Sequence, residues 1–180
     1  MEEIEVPTEH LHEEMHHAAH GGDRFVSFVA LSSAITAVLA AVAALLAGAH
    51  ANEAMLDQIR ASDKWSYYQA KSIKAAMLSS KIELLTEMGK KPKEKDEEKV
   101  VEYRKEQEEI QKEGKELEHH SHGHFQLHEI FARGVTLFQV AIALAAISAL
   151  TRRRRFFYVS LGFVCVGLGF LLQGFLHGTI

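Results

Sequence analysis

The chain has 180 residues, about the length of one domain, and a net charge of −4 at pH 7. Charged residues make up 24% of it, yet almost none lie in three long apolar runs. This division excludes a single soluble core and indicates a small polytopic membrane protein. The chain has no basic excess for binding nucleic acid, and its one cysteine, Cys165, excludes an intramolecular disulfide and a cysteine zinc site within this sequence.

The first segment, residues 1–24, is an acidic tail rich in histidine. Within it, His12-Glu13-Glu14-Met15-His16 matches the HExxH pattern of zinc proteases, in which two imidazoles on one helix face bind zinc and the Glu acts as a base. Such an enzyme also needs a third ligand and a cleft that excludes water. A tail of this composition produces the pattern easily. We therefore expect a non-enzymatic protein, with a metalloprotease as a distant alternative.

Three apolar runs, 25–49, 130–150 and 156–178, exceed the length of about 18 residues that indicates a transmembrane helix. The first run follows an acidic segment and is too long for the apolar part of a signal peptide, so we expect it to remain as an uncleaved span. The fold class predicted is an all-α membrane protein. Its three transmembrane helices are accompanied by an extramembrane antiparallel helical hairpin.

The loop 151–155 predicts the orientation. Short basic loops stay in the cytoplasm, and this loop carries Arg152, Arg153, Arg154 and Arg155. The N-terminus is then cytoplasmic, whereas the hairpin and the C-terminus are external. The twelve lysines and two arginines of residues 50–129 argue the other way. Loops longer than about 60 residues count for little in this rule.

Residues 50–129 are predicted to form a coiled-coil-like hairpin with its turn near 89–93. The first arm contains no Gly or Pro through residue 88, and the return arm carries a thin apolar stripe of Tyr103, Ile110 and Leu117. The first arm's apolar residues recur every three or four positions. They are Leu56, Ile59, Ala70, Ile73, Met77 and Leu84. Because this stripe is sparse and interrupted, we expect neighbouring subunits to complete its burial.

Histidines at four-residue spacing form two candidate metal-binding ridges. Imidazoles at positions i and i+4 of a helix can share Zn, Ni or Cu. The alternative is a set of tolerated polar residues at a membrane interface, or a pH-responsive surface. In the predicted topology the two ridges lie on opposite sides of the membrane and cannot form one site. The ridges are His12, His16 and His20, and His120, His124 and His128.

Two further groups are candidate interaction residues. The aromatic patch at 61–74, with Trp65 and Tyr68, suits either an anchoring contact with a subunit or lipid headgroups, or ordinary hairpin packing. Inside the apolar runs, Gln139 and Gln173 are amides that favour hydrogen bonds between helices. A pore or proton relay usually shows intramembrane acids, which these runs lack.

The segment 61–74 (ASDKWSYYQAKSIK) resembles the hallmark of a bacterial membrane family of unknown function. The segments 138–144 (FQVAIAL) and 147–154 (ISALTRRR) are similar to that family's second signature. The resemblance covers most of the chain from about residue 25. It implies a bacterial inner-membrane location and three spans, and it supplies no activity, substrate or catalytic residue.

These features favour a homo-oligomeric membrane scaffold whose partners are further copies of itself and the lipid bilayer, without nucleic acid. The alternative is a metal- or proton-responsive transport or channel component that uses the histidine ridges. The first function needs no cofactor, whereas a metal-responsive form of the second would bind Zn, Ni or Cu. Either function leaves room for an unidentified membrane partner.

Overall fold

The computed structural model describes residues 24–178, and these form three α-helices without any strand. Helix α1 is Arg24–Glu87, α2 is Glu94–Thr151 and α3 is Arg154–His177. The all-helical class is therefore confirmed. The helices α1 and α2 run uninterrupted past residues 50 and 129, where the sequence suggested a change of environment. The histidines His12, His16 and His20, with the HExxH match, lie outside the described residues.

The turn between α1 and α2 lies where the sequence predicted it. Gly89 adopts a left-handed φ of 71°, which glycine tolerates because it has no Cβ. Its N–H donates to the Thr86 carbonyl and the Lys90 N–H donates to the Leu85 carbonyl, a Schellman cap that satisfies the end of α1. Pro92 follows the cap and prevents α1 from continuing beyond it.

The second turn is much tighter. Only Arg152 and Arg153 separate α2 from α3, and Arg152 has a φ of 54°. This left-handed conformation is costly for a residue with a side chain. The Ser148 hydroxyl donates to the Arg153 carbonyl at 3.1 Å and so fastens the turn to the last residues of α2.

The chain divides into two compact units. The three-helix unit comprises residues 24–51 and 125–178, and the hairpin unit comprises residues 52–124. In the three-helix unit, buried positions recur every three or four residues along α1, as in a left-handed coiled coil. Those of α1 are Val26, Val29, Ser33, Thr36, Ala40, Ala43 and Ala47.

Two glycines of α3 pack closely against phenylalanine rings in the core of the three-helix unit. A Cβ on Gly174 would lie 2.5 Å from the Phe131 ring, and one on Gly167 would lie 2.8 Å from the Phe138 ring. Both rings are almost fully buried. The neighbouring Gly162 has nothing within 4 Å of its Cβ position. Some glycines of this helix are therefore packing positions, whereas others are not.

The hairpin unit packs through small residues, which the sequence analysis did not foresee. Ala54, Ala61 and Ala75 are buried on its first arm, and Val100 and Ile110 on its return arm. The return-arm stripe faces inward as predicted, because Ile110 is buried and Tyr103 and Leu117 are half-buried.

The predicted stripe of the first arm, in contrast, faces outward. Ile73 and Met77 are 60% and 68% exposed, although the buried Ala75 lies between them in sequence. Two residues along an α-helix correspond to a rotation of about 200°. The large apolar side chains thus lie opposite the face that meets the return arm. Leu56, Ile59, Ala70 and Leu84 are exposed as well.

Candidate functional site

An exposed apolar stripe on the first arm is the most prominent surface feature of the hairpin unit. Each of its side chains is between 46% and 68% exposed. Large apolar side chains exposed together in an otherwise charged segment, as Ile73, Met77, Leu84 and Met88 are, often mark a contact with another molecule. We call these residues the outer stripe; they are Leu56, Ile59, Ile73, Met77, Leu84 and Met88.

On the inner face of the same arm, Trp65 fastens the two arms together. Its indole N–H donates to the Glu118 carboxylate at 2.8 Å. The ring lies over Gly114, whose Cβ position is 3.5 Å from Trp65 Cε2. The ring of Tyr68 packs edge-on against the indole, with 5.7 Å between the centroids. Trp65 therefore contacts the return arm through both its polar and its apolar atoms.

Lys71 makes the second fastening contact. Its ammonium is paired with the Glu106 carboxylate and lies 4.9 Å from the centroid of the Tyr103 ring. The Tyr67 ring, on the first arm, is 5.3 Å away. The hydrogen bond to Glu106 raises the pKa of Lys71 above its ordinary value, although partial desolvation acts in the opposite direction. Lys71 is therefore held as a cation between two aromatic rings and one carboxylate.

The ion pairs between the arms reveal the register of the hairpin. In every pair, the two residues are equally far in sequence from the bond between Met88 and Gly89. This symmetry is what two antiparallel helices of equal rise require. The pairs are Lys64 with Glu113, Lys71 with Glu106, and Lys81 with Asp96.

The geometry is compatible with both roles considered for the segment 61–74, which are hairpin packing and contact with another molecule. Trp65 and Lys71 serve hairpin packing, because their partners are on the return arm. Ile73 and Met77, just beyond them, face outward and are open to another molecule. The sequence analysis missed Glu106 and Glu118. The antiparallel symmetry about the turn could have indicated Glu106.

The histidines of the described ridge do not form a metal site within one chain. His128 Nδ1 is 2.9 Å from the Ala47 carbonyl oxygen, so that nitrogen already has a partner. His120 is exposed and His124 half-buried. Among residues 24–178, no three His, Cys, Asp or Glu side chains come together in a way that could hold a metal ion. Metal binding by His120, His124 and His128 therefore stays a prediction that needs ligands from a neighbouring subunit.

The two glutamines lie in different surroundings. Gln139 is half-buried and lines a crevice of about 160 Å³ together with Ala37, Ala41 and Ala44. Gln173 is exposed in the single chain, so its predicted hydrogen bond between helices stays a prediction.

The four arginines of the tight turn are exposed. Arg154 lies over the Phe25 ring, with 5.4 Å between its guanidinium carbon and the ring centroid. A cation held against an aromatic ring in this way is favourable even at an exposed site. The contact lies within the three-helix unit and orders one of the arginines on which the orientation prediction depends.

These features define an all-helical protein whose three helices are each long and apolar enough, by length and composition, to cross a membrane. A family described as a domain of unknown function, DUF4337, matches residues 25–177, and the chain belongs to this family. The expected membership of an uncharacterised family is confirmed. No curated protein and no solved structure matches the chain.

Proposed function

We propose that this protein is a non-enzymatic scaffold of the bacterial inner membrane that assembles as a homo-oligomer through the outer stripe. The observation that carries this proposal is the position of the large apolar residues of the first arm. Ile73 and Met77 are exposed although the hairpin is already closed by small residues and ion pairs. The stripe is thus not needed to hold the two arms together.

The exterior of the three-helix unit supports the membrane location. Its interior contains polar residues such as Ser33, Thr36 and Ser148 beside the buried phenylalanine rings, whereas many large apolar side chains, such as Leu31 and Leu45, point outward. Soluble domains bury their large apolar residues. A bilayer, in contrast, solvates an apolar exterior and leaves packing of small residues to hold helices together.

The membrane also favours a second copy of this chain as the partner that binds the outer stripe. Copies inserted with one orientation direct their hairpins to the same side. In every copy the outer stripe begins the same number of residues after the first apolar run. Equivalent residues of neighbouring copies are therefore level with one another. Confinement to one membrane further raises the effective concentration of the stripes. Contact between two copies would bury Ile73 and Met77 near the middle of the stripe.

The decisive experiment compares oligomeric state in purified full-length variants. Ile73→Asp combined with Met77→Asp should convert the assembly to monomers in native mass measurements, because two charges cannot be buried unpaired in an apolar contact. Val101→Asp is the matched control, since Val101 is 68% exposed but lies on the return arm. It should leave the assembly intact.

Helix content and membrane insertion should be the same in all three proteins. The proposal would be contradicted if the unmodified protein were a monomer. It would also be contradicted if Val101→Asp disrupted the assembly as much as the double variant does.

Metal analysis of the same samples tests the alternative of a metal-responsive transport component. The scaffold should assemble in the presence of a chelator. Stoichiometric Zn, Ni or Cu that is lost in His124→Ala but retained in His177→Ala would instead favour the alternative. In that case the subunit interface would supply the ligands that one chain lacks.

A further inference from the structure

The three helices of the three-helix unit line a partly open cavity of about 240 Å³. Most of its lining is apolar, including Leu39, Ile142 and Phe157. Ile35 and Leu161 line it as well and are 56% and 44% exposed. The cavity therefore opens between α1 and α3 onto the apolar exterior of the unit, and an apolar molecule could enter from there.

Four hydroxyl groups also line this cavity, and three of them have partners. Ser32 donates to the Phe28 carbonyl and Thr36 to the Ser32 carbonyl, the usual bond of a hydroxyl to its own helix. Ser160 donates to the Ala141 carbonyl of α2 at 2.7 Å. These bonds satisfy the three donors without any other molecule.

Ser33 differs from the other three. Its side chain is 1% exposed, and within residues 24–178 its hydroxyl has no hydrogen-bond partner. A buried hydroxyl without a partner is unfavourable in an apolar environment. It lines a cavity in which a bound molecule could supply the missing partner.

The size of the cavity limits the molecule. An engineered apolar cavity of about 150 Å³ binds benzene, so 240 Å³ corresponds by proportion to about ten heavy atoms. The geometry points to a binding site for a lipophilic molecule that carries one hydrogen-bonding oxygen, a hydroxyl or a carbonyl, which pairs with Ser33. This site is separate from the outer stripe and does not depend on oligomerisation.

Competition binding tests this assignment. The full-length protein in phosphatidylcholine vesicles is labelled with a photoreactive decanol that carries a diazirine, and labelled peptides are identified by mass spectrometry. Unlabelled 1-decanol and 2-decanone should both compete about three- to tenfold better than decane, the usual effect of one hydrogen bond. Competition by only one of the two would identify the ligand as an alcohol or as a ketone.

Substitutions at two adjacent serines provide the matched pair. Ser33→Ala should weaken competition by 1-decanol to the level of decane. Ser32→Ala removes a hydroxyl from the same cavity that already has a partner, and should leave competition unchanged. Ser33→Leu should weaken labelling further, because it removes the hydroxyl and its larger side chain takes up part of the cavity.

The inference is wrong if decane competes as well as decanol, if Ser33→Ala binds like the unmodified protein, or if labelling is confined to the outward-facing residues.

Discussion

The three-helix unit and the hairpin unit both bury small side chains, although phenylalanine rings add to the core of the first, and the two units present different exteriors. Both pack through small side chains, such as Ala43 in one and Ala61 in the other. The exterior of the three-helix unit is apolar on all three helices, whereas that of the hairpin unit is mostly charged, with the outer stripe as its main apolar feature. The exterior thus distinguishes the two units: an apolar exterior suits the three-helix unit to lipid, and a mostly charged exterior suits the hairpin unit to water and one partner.

This comparison depends on the hairpin being outside the membrane, and the arginines of the tight turn provide the strongest test. In a Cys165→Ala background, a cysteine introduced by Lys91→Cys should react with an impermeant thiol reagent added to intact cells. Replacing Arg152, Arg153, Arg154 and Arg155 by Gln should reduce this labelling and produce mixed orientations.

Arg133→Gln is the control for the loss of a positive charge, because Arg133 is paired with Glu129 at 3.0 Å and lies outside the loop. It should leave the labelling unchanged. Labelling of the hairpin only after cell lysis would reverse the proposed orientation.

The next largest effect concerns the core of the three-helix unit. Gly174→Ala should destabilise it by about 1–3 kcal/mol, the usual cost of overpacking. The added Cβ would lie 2.5 Å from Phe131, and that ring packs against the rings of both His50 and Phe175. Thermal unfolding in detergent, followed by circular dichroism, measures the change.

Gly169→Ala is the control on the same helix, since its Cβ would have nothing within 4 Å. It should be neutral or slightly stabilising. Equal destabilisation by both substitutions would show that helix conformation, and not contact with the ring, governs these positions.

Replacing a glycine by alanine should have the opposite effect on the stability of the hairpin unit. Gly114→Ala should stabilise it by about 0.5–1 kcal/mol, because alanine favours the helix over glycine. The new Cβ would be 3.5 Å from Trp65, an ordinary van der Waals distance. Thermal unfolding of Gly114→Ala beside Gly174→Ala would compare the two cores directly. A destabilised Gly114→Ala variant would show that the indole needs the space of a glycine.

The sequence was sufficient to predict the helices, the turn and the inward stripe of the return arm. The long apolar runs, the lack of Gly and Pro in the first arm, and Gly89 with Pro92 at the turn indicate the helices and the turn, and the thin stripe of the return arm indicates its inner face. The inner face of the first arm was not predicted, because large apolar residues such as Ile73 and Met77 dominate the hydrophobic pattern of this arm. Alanines at the same spacing carry a weaker hydrophobic signal, yet they permit closer packing of the arms. The unsatisfied hydroxyl of Ser33 was also beyond prediction, because hydrogen-bond partners depend on the tertiary structure.

The smallest expected effect is a pH dependence at the turn end of the hairpin unit. Asp96 lies in the first turn of α2, where a negative charge is favourable. The Lys81 ammonium donates to its carboxylate at 2.6 Å, and this hydrogen bond lowers the pKa of Asp96 below its ordinary value. Partial desolvation opposes the shift, whereas the charges of Lys81, Lys93 and Lys99 add to it.

A carboxylate whose pKa is lower in the folded than in the unfolded state stabilises the fold at pH values above its unfolded pKa, near 4. That contribution is lost as the pH falls through the folded pKa. The Asp96→Asn variant should therefore melt at a lower temperature than the unmodified protein at pH 7, and the difference should shrink below pH 4. Asp63→Asn is the control, because Asp63 is exposed and makes no ion pair among residues 24–178. A difference that stays constant from pH 7 to about pH 2 would mean that Asp96 acts through its shape and hydrogen bonds rather than its charge.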